Sequence, residues 1–385
     1  MKPRMAFLIS EFEVQAMMNL LPIRKTSNLS LITFIFSILF SLNSMSEAYR
    51  PSADQVVASW DTQQSINNTR MNLQNVGWHL EQSQFAGASN LHLRQASMML
   101  EKLQATQADK PDYWYYTARV LEHQHQFSAA LQALDKALTI DAEFASAWLM
   151  KSNVLLIMGE NEQAKKACAP LVGLANIDLV LACSLQTAKG QEQVQQAYQQ
   201  LLPIIKRIQP STDDIDQSDL WLVQMAADMA MQLGLTQQAA DWLDTYELEK
   251  TPISYMSQWA DAQLTLGLYQ IVLDHLGAVV EQAGYQDDAL LMRLAMAEVK
   301  SEHATKHSNK WQLAAEDRVS LRLTRNDTYH AADLSRFYLY IQPNPKQALY
   351  WAEQNLLQSQ SHEDHALLKA AELLSEQNQL TEKES

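Results

Sequence analysis

The chain has 385 residues, 47% of them hydrophobic, and carries 29 basic against 44 acidic side chains for a net charge of −15. That much apolar surface excludes wholesale disorder, and so acidic a surface repels phosphate backbones and anionic headgroups, which argues against nucleic acid or membrane-surface partners. With only 9 Gly and 10 Pro, abundant Ala, Leu, Gln and Met, and no long alternating Val/Ile/Thr run, the expected class is all-α.

At the N-terminus Arg24 and Lys25 precede an apolar run, LSLITFIFSILFSL over 29–42, and Ser46-Glu47-Ala48 then places small residues where a signal peptidase looks. As helix that run rises only ~21 Å against a hydrocarbon core of ~30 Å. Residues 1–48 therefore read as a signal peptide. The mature chain is then exported, periplasmic or extracellular, with no integral span; an uncleaved anchor is the other reading. Glu11 and Glu13 are unusual in such a leader, and translation from Met18 would give a conventional one. Residues 49–110 hold two helical patterns and are expected to cap whatever follows.

The next two segments, 111–144 and 145–178, align on each other. Trp114 and Trp148, Leu121 and Leu155, and Ala130 and Ala164 each stand 34 residues apart, and Ala96 lies a further 34 upstream of Ala130. Within the first segment Trp114, Ala118 and Leu121 share one helix face, a polar turn follows at 122–126, and Phe127, Ala130, Leu134, Ala137 and Leu138 share a second face. Small Ala118 and Ala130 let two helix backbones approach, with Trp114 and Leu134 filling the space beside them. On that reading Trp114→Ala leaves a cavity worth ~3–5 kcal/mol.

These residues resemble the tetratricopeptide repeat: Trp114, Thr117-Ala118, Leu121, Phe127, Ala130, Leu134, Ala137 and Ile140-Asp141-Ala142, then Trp148, Leu155, Gly159, Ala164 and Cys168. The second copy departs at Lys151-Ser152 and lacks the closing proline. Further copies are weaker, over 222–246 with Gly234 and Ala239, and over 254–280 with Gly267 and Tyr269; Gly190 marks a similar turn. The resemblance implies a right-handed superhelical solenoid of antiparallel helix pairs. Repeats are placed at 111–208 and 215–300, and degenerate C-terminal repeats at 301–385. The polar stretches 209–214 and 301–310 are expected to be joints. Asn344-Pro345 reads as a helix cap and first-turn proline.

The resemblance also implies a function. In such proteins the second, fifth, ninth and twelfth positions of the first helix of each pair line a concave face that holds an extended peptide or a partner helix. Here those positions give the candidate groove residues Tyr115, Arg119, Asn153, Gln224, Asp228 and Asp261, with Met231 and Leu264 among their neighbours. Leu149 stands where clamp-type members carry lysine, so capture of a peptide carboxylate is not expected. The implied role is a non-enzymatic scaffold or adaptor of the cell envelope with a protein or peptide partner. The alternative is a structural, self-associating envelope assembly factor, a homo-oligomer.

Chemistry-bearing residues are few. Cys168 and Cys183 could close a disulfide between neighbouring helices, or stay as two buried thiols. His303 and His307 share a helix face but have no third ligand at motif spacing, and read as a solvated connection. His362-Glu363-Asp364-His365 lacks zinc-protease spacing and reads as a helix start with acids in its first turn. His123 and His125 read as exposed turn residues. No phosphate loop or nucleophile elbow is present, so neither an enzyme nor a cofactor or metal is expected.

Overall fold

A computed structural model of the chain describes residues 71–87, 89–210, 215–284, 287–301, 309–325, 327 and 329–384. The leader at 1–48, the Met18 start, residues 49–70 of the cap, joint residues 211–214, and His303 and His307 lie outside the described residues. Thr69–Ser385 forms one compact unit. Among the described residues it consists of seventeen α-helices with short 3-10 and π segments and no strand. In chain order these are α1 (Leu73–Gln82), α2 (Ser89–Gln107), α3 (Pro111–His123), α4 (Phe127–Ile140), α5 (Ala145–Ile157), α6 (Asn161–Cys168), α7 (Ile177–Leu185), α8 (Gln191–Ile205) and α9 (Gln217–Gln232). They continue as α10 (Thr236–Leu243), α11 (Ile253–Thr265), α12 (Tyr269–Ala283), α13 (Asp288–Lys300), α14 (Lys310–Arg325), α15 (Ala331–Arg336), α16 (Pro345–Leu356) and α17 (His362–Glu384).

The hairpins are set by their turns. In α3–α4, α5–α6, α9–α10 and α11–α12, three residues separate the helices, and the middle one is left-handed: His125 (φ 56°), Gly159 (78°), Gly234 (73°) and Gly267 (76°). The residue after it donates its N–H to a carbonyl five positions back, Gln126 to Leu121, Glu160 to Leu155, Leu235 to Ala230 and Leu268 to Gln263, at 2.8–2.9 Å. This is the Schellman closure, which satisfies orphan carbonyls while reversing the chain. Starts are fixed as the sequence suggests: Asn344 Oδ1 accepts from the Gln347 N–H at 3.2 Å, with Pro345 in the first turn of α16.

Between α3 and α4 the small residues meet as read. Ala118, Ala130 and Ala137 are fully buried with Leu134 in one cluster that continues to Val154 of α5. The tryptophans do something different. Trp114 is half-buried and its indole N–H donates to the Ala108 carbonyl at 2.8 Å; Trp148 repeats this on Ala142 at 2.9 Å. Each ties down the turn before its own helix. Lys136 lies over the Trp114 ring at 4.0 Å. Truncating Trp114 therefore opens a notch that water reaches, and the ~3–5 kcal/mol of a sealed cavity does not apply. The largest core runs from α7 to α16 around Tyr198, Leu201, Leu243, Leu276, Leu290 and Leu294.

Of the two readings of the cysteines, the structure has the disulfide: Cys168 at the end of α6 is bonded to Cys183 in α7, with Cα atoms 5.7 Å apart. Helix α6 stops short because Pro170 follows, so the bridge secures a pair whose second helix is truncated. Closing a loop with a sequence separation of 15 stabilises by ~3 kcal/mol through the unfolded state. Replacing both cysteines with serine is expected to lower the urea midpoint by that equivalent. An unchanged midpoint would show that the bridge contributes nothing.

The solenoid also closes on itself. The α1–α2 turn meets the second half of the chain, where the Gly87 N–H donates to Asp287 Oδ2 at 2.8 Å across 200 residues of sequence, and the Ile253 N–H donates to the Gln84 carbonyl at 2.8 Å. A Cβ on Gly87 would come within 2.8 Å of the Ala283 carbonyl oxygen. The α3–α4 turn packs His125 on His330, ring centres 4.1 Å apart, at the start of α15. The α5–α6 turn accepts at the Ile157 carbonyl from the Gln360 N–H at 2.7 Å, between α16 and α17. His123 and His125 are thus half-buried contact residues rather than exposed ones. Their turn is a docking tip, and the burial comes from a segment far away in sequence.

Candidate functional site

Closure leaves a cleft of about 520 Å³ on the inner side of α9, α11 and α13, covered by α15, the π segment Phe337–Ile341 and the first turns of α17. Asp228 and Met231 come from α9, Asp261 and Leu264 from α11, and Met296 and Lys300 from α13. Arg336, Tyr340, His362, Glu363 and Leu367 line the opposite wall. The first helices of successive pairs supply one wall because stacking places them side by side.

Each wall is braced by its own ion pairs. Arg293 of α13 is 5% exposed. Its Nε donates to the Ser257 carbonyl at 3.0 Å, its Nη1 to Ala289 at 2.9 Å, and its Nη2 to the Asp261 carboxylate at 2.5 Å. Arg336 pairs with Glu363 of α17 and, at 3.5 Å, with Asp333. Burial opposes the Arg336 charge, but Glu363, Asp261 and Asp333 outweigh it and push its pKa up. Burial raises the Asp261 carboxyl, with Arg293 pulling the other way. Asp228 is open to solvent at its rim, yet crowding in the cleft raises its carboxyl, and its Oδ2 accepts from Gln232 Nε2 at 2.9 Å.

Helix α17 is held here by its own start. Ser361 and Asp364 bond reciprocally, the Ser361 N–H to Asp364 Oδ2 at 3.0 Å and the Asp364 N–H to Ser361 Oγ at 3.2 Å, which is a capping box. Glu363 and Asp364 therefore occupy the first turn, as read from the sequence.

Of the six candidate groove residues, the structure brings Asp228 and Asp261 into this cleft. The other four serve contacts between neighbouring hairpins. Tyr115 packs on Phe144, ring centres 5.0 Å apart, and burial pushes its phenol pKa up. Arg119 donates to the Leu80 carbonyl of α1 at 3.4 Å, and Asn153 accepts from Gln186, just after α7, at 3.0 Å. Gln224 offers its main-chain carbonyl to Gln258 at 2.9 Å. Sequence reasoning missed Arg293, Arg336, Tyr340 and Glu363. Arg293 did leave a signal: it is the one charge in the apolar run ALLMRLAMA, and a buried arginine requires a carboxylate.

Among the described residues no three His, Cys, Asp or Glu side chains are grouped as a metal would need, and no helix is long and apolar enough to cross a membrane.

No description of a known protein family matches the chain, and no curated protein does. Solved structures do. The APC/C hetero-tetramer Cut9-Hcn1 is 14% identical over 80% of this chain and 50% of its own, with a TM-score of 0.40; this chain thus spans half of that one. A tetratricopeptide repeat protein from Parabacteroides merdae is 11% identical over 68% of this chain and 98% of its own, TM-score 0.39. The human IFIT1 dimer with PPP-AAAA is 13% identical over 69% of each chain, TM-score 0.39. The hairpins of this chain are tetratricopeptide-like. They share a 34-residue step, alanine at the helix crossing, the tryptophan tie and the repeated left-handed turn.

Proposed function

We propose that this chain is a non-enzymatic scaffold of the cell envelope that holds a protein segment against the inner face of its helical pairs. The cleft carries the reading. It sets the Asp228 carboxylate at the rim, with Asp261 behind it in its pair with Arg293, beside Met231, Leu264, Met296 and two tyrosines. Carboxylate and soft apolar groups side by side suit an extended segment or helix with a basic side chain between apolar ones. The envelope location is supported by the apolar run at 29–42 and by the disulfide, a bond that oxidising compartments preserve.

The test is affinity capture from envelope extract with the mature chain and with Asp228→Lys. A partner of the proposed kind binds the parent chain and is lost at least tenfold with the variant, whose substituted side chain lies at the cleft rim and so spares the fold. Absence of any reproducible partner, or capture indifferent to Asp228→Lys and to Met231→Glu, would sink the reading.

A further inference from the structure

We propose that the His125–His330 contact is an acid-released latch: neutral imidazoles hold the α3–α4 turn against the start of α15, and protonation of either ring separates them, opening the closed solenoid without melting its hairpins.

The geometry is unusual for histidine on both sides. His125 and His330 have φ of 56° and 59° and are the two non-glycine residues with positive φ among the described residues. At the place of His125, three sister turns use Gly159, Gly234 and Gly267. Glycine adopts that conformation without strain and any other side chain pays for it, so an imidazole there is retained for what its ring does. The ring stands edge-on to His330 at 4.1 Å, with Phe127 on another side at 5.4 Å.

The groups that face the pair leave no place for a positive charge. From its own turn comes His123, and from α14 comes Arg322, whose Nη1 donates to the Tyr329 and His330 carbonyls at 3.3 and 3.4 Å and so fixes the strained backbone. Asp327 stands just beyond α14, Asp333 on α15 and Asp364 on α17. The last two carboxylates are committed elsewhere. Asp333 pairs with Arg336 and Arg322, which hold it below the usual carboxylate range despite its burial. Asp364 accepts from Asn355, Ser359 and Ser361. Among the described residues an imidazolium at position 125 would meet a second imidazole and a guanidinium, while Asp333 and Asp364 are bonded elsewhere and Asp327, which faces His330, accepts from the Tyr329 N–H.

Burial, with His330 next, lowers His125 from its ordinary 6.5 to about 4, and burial lowers His330 and His123 as well. The sign follows. Above pH 6.5 these rings are neutral whether the contact is made or not, and the closed form is fully favoured. As pH falls below 6.5 the open form takes up protons that the closed form refuses, so closure weakens by up to about tenfold per pH unit for each ring until its closed-form pKa is passed. That opening bares the cleft rests on the function proposed above; the latch does not.

The Gln360 amide reports closure directly, because its bond to the Ile157 carbonyl spans the same seam. Its hydrogen-exchange protection factor, which is corrected for intrinsic pH dependence, is measured on the mature chain from pH 7 to 4.5. The expected result is a fall approaching tenfold per pH unit below 6.5 while amides inside α8 keep their protection. His125→Gly, which gives the turn the residue its sisters carry, is expected to fold and to remove the His125 share of that pH dependence, leaving a markedly shallower fall. Constant protection at Gln360 in the parent chain overturns the latch. So does the same acid step in His125→Gly, or simultaneous loss of protection in α8.

Discussion

Ala130→Glu is expected to destabilise the chain by more than about 4 kcal/mol and to melt the α3–α4 hairpin first, read as a lost or split urea transition in far-ultraviolet circular dichroism. Ala130 is wholly buried in the first turns of α4, in one cluster with Ala118, Leu134, Ala137 and Val154, each of them 0–1% exposed. A glutamate there must either stay charged in an apolar crossing or protonate and still find room for four more heavy atoms. Burying an unpaired carboxylate costs several kcal/mol after relaxation, and overpacking adds ~1–3 more. Ala130→Gly separates the two causes. It adds neither charge nor bulk and loses helix propensity and one buried methyl, so it should cost ~1–2 kcal/mol. If the glutamate variant unfolded within 1 kcal/mol of the parent, the close crossing of α3 and α4 would be wrong.

That crossing was legible because it repeats. Trp114, Ala118, Ala130 and their counterparts 34 residues on bury the same faces, so local spacing alone places two hairpins. The candidate groove was legible only in part. Asp228 and Asp261 line the cleft, whereas Tyr115, Arg119 and Asn153 hold hairpin to hairpin, a difference set by tertiary contacts and invisible to position counting. Closure left no mark at all. Bonds such as Gly87 to Asp287 join segments 200 residues apart, with no periodicity to betray them. A polar hairpin tip like 123–126 then looks solvated when it is docked. The covering wall suffered likewise: Glu363 announces a helix start, but nothing local says that the start lies against Arg336.

The Arg293–Asp261 pair shows how burial decides which half of an ion pair matters. The arginine side chain is 6% exposed and the aspartate 27%. Asp261→Ala strands a guanidinium whose other partners are two carbonyls, Ser257 and Ala289. Breaking a buried pair in this way costs ~3–5 kcal/mol. Arg293→Met instead strands a carboxylate that can turn to water in the cleft, so it should cost roughly half as much, mostly through the two carbonyls left without a donor. The double variant removes both charges and should be more stable than Asp261→Ala alone, since replacing a whole buried pair is often neutral. Urea midpoints of the three variants at pH 7 test the order. Were Asp261→Ala to cost under about 1 kcal/mol, the pair would behave as a surface bridge. Arg293 would then be held by its carbonyls, and Asp261 would be free to meet a partner's cation in the cleft.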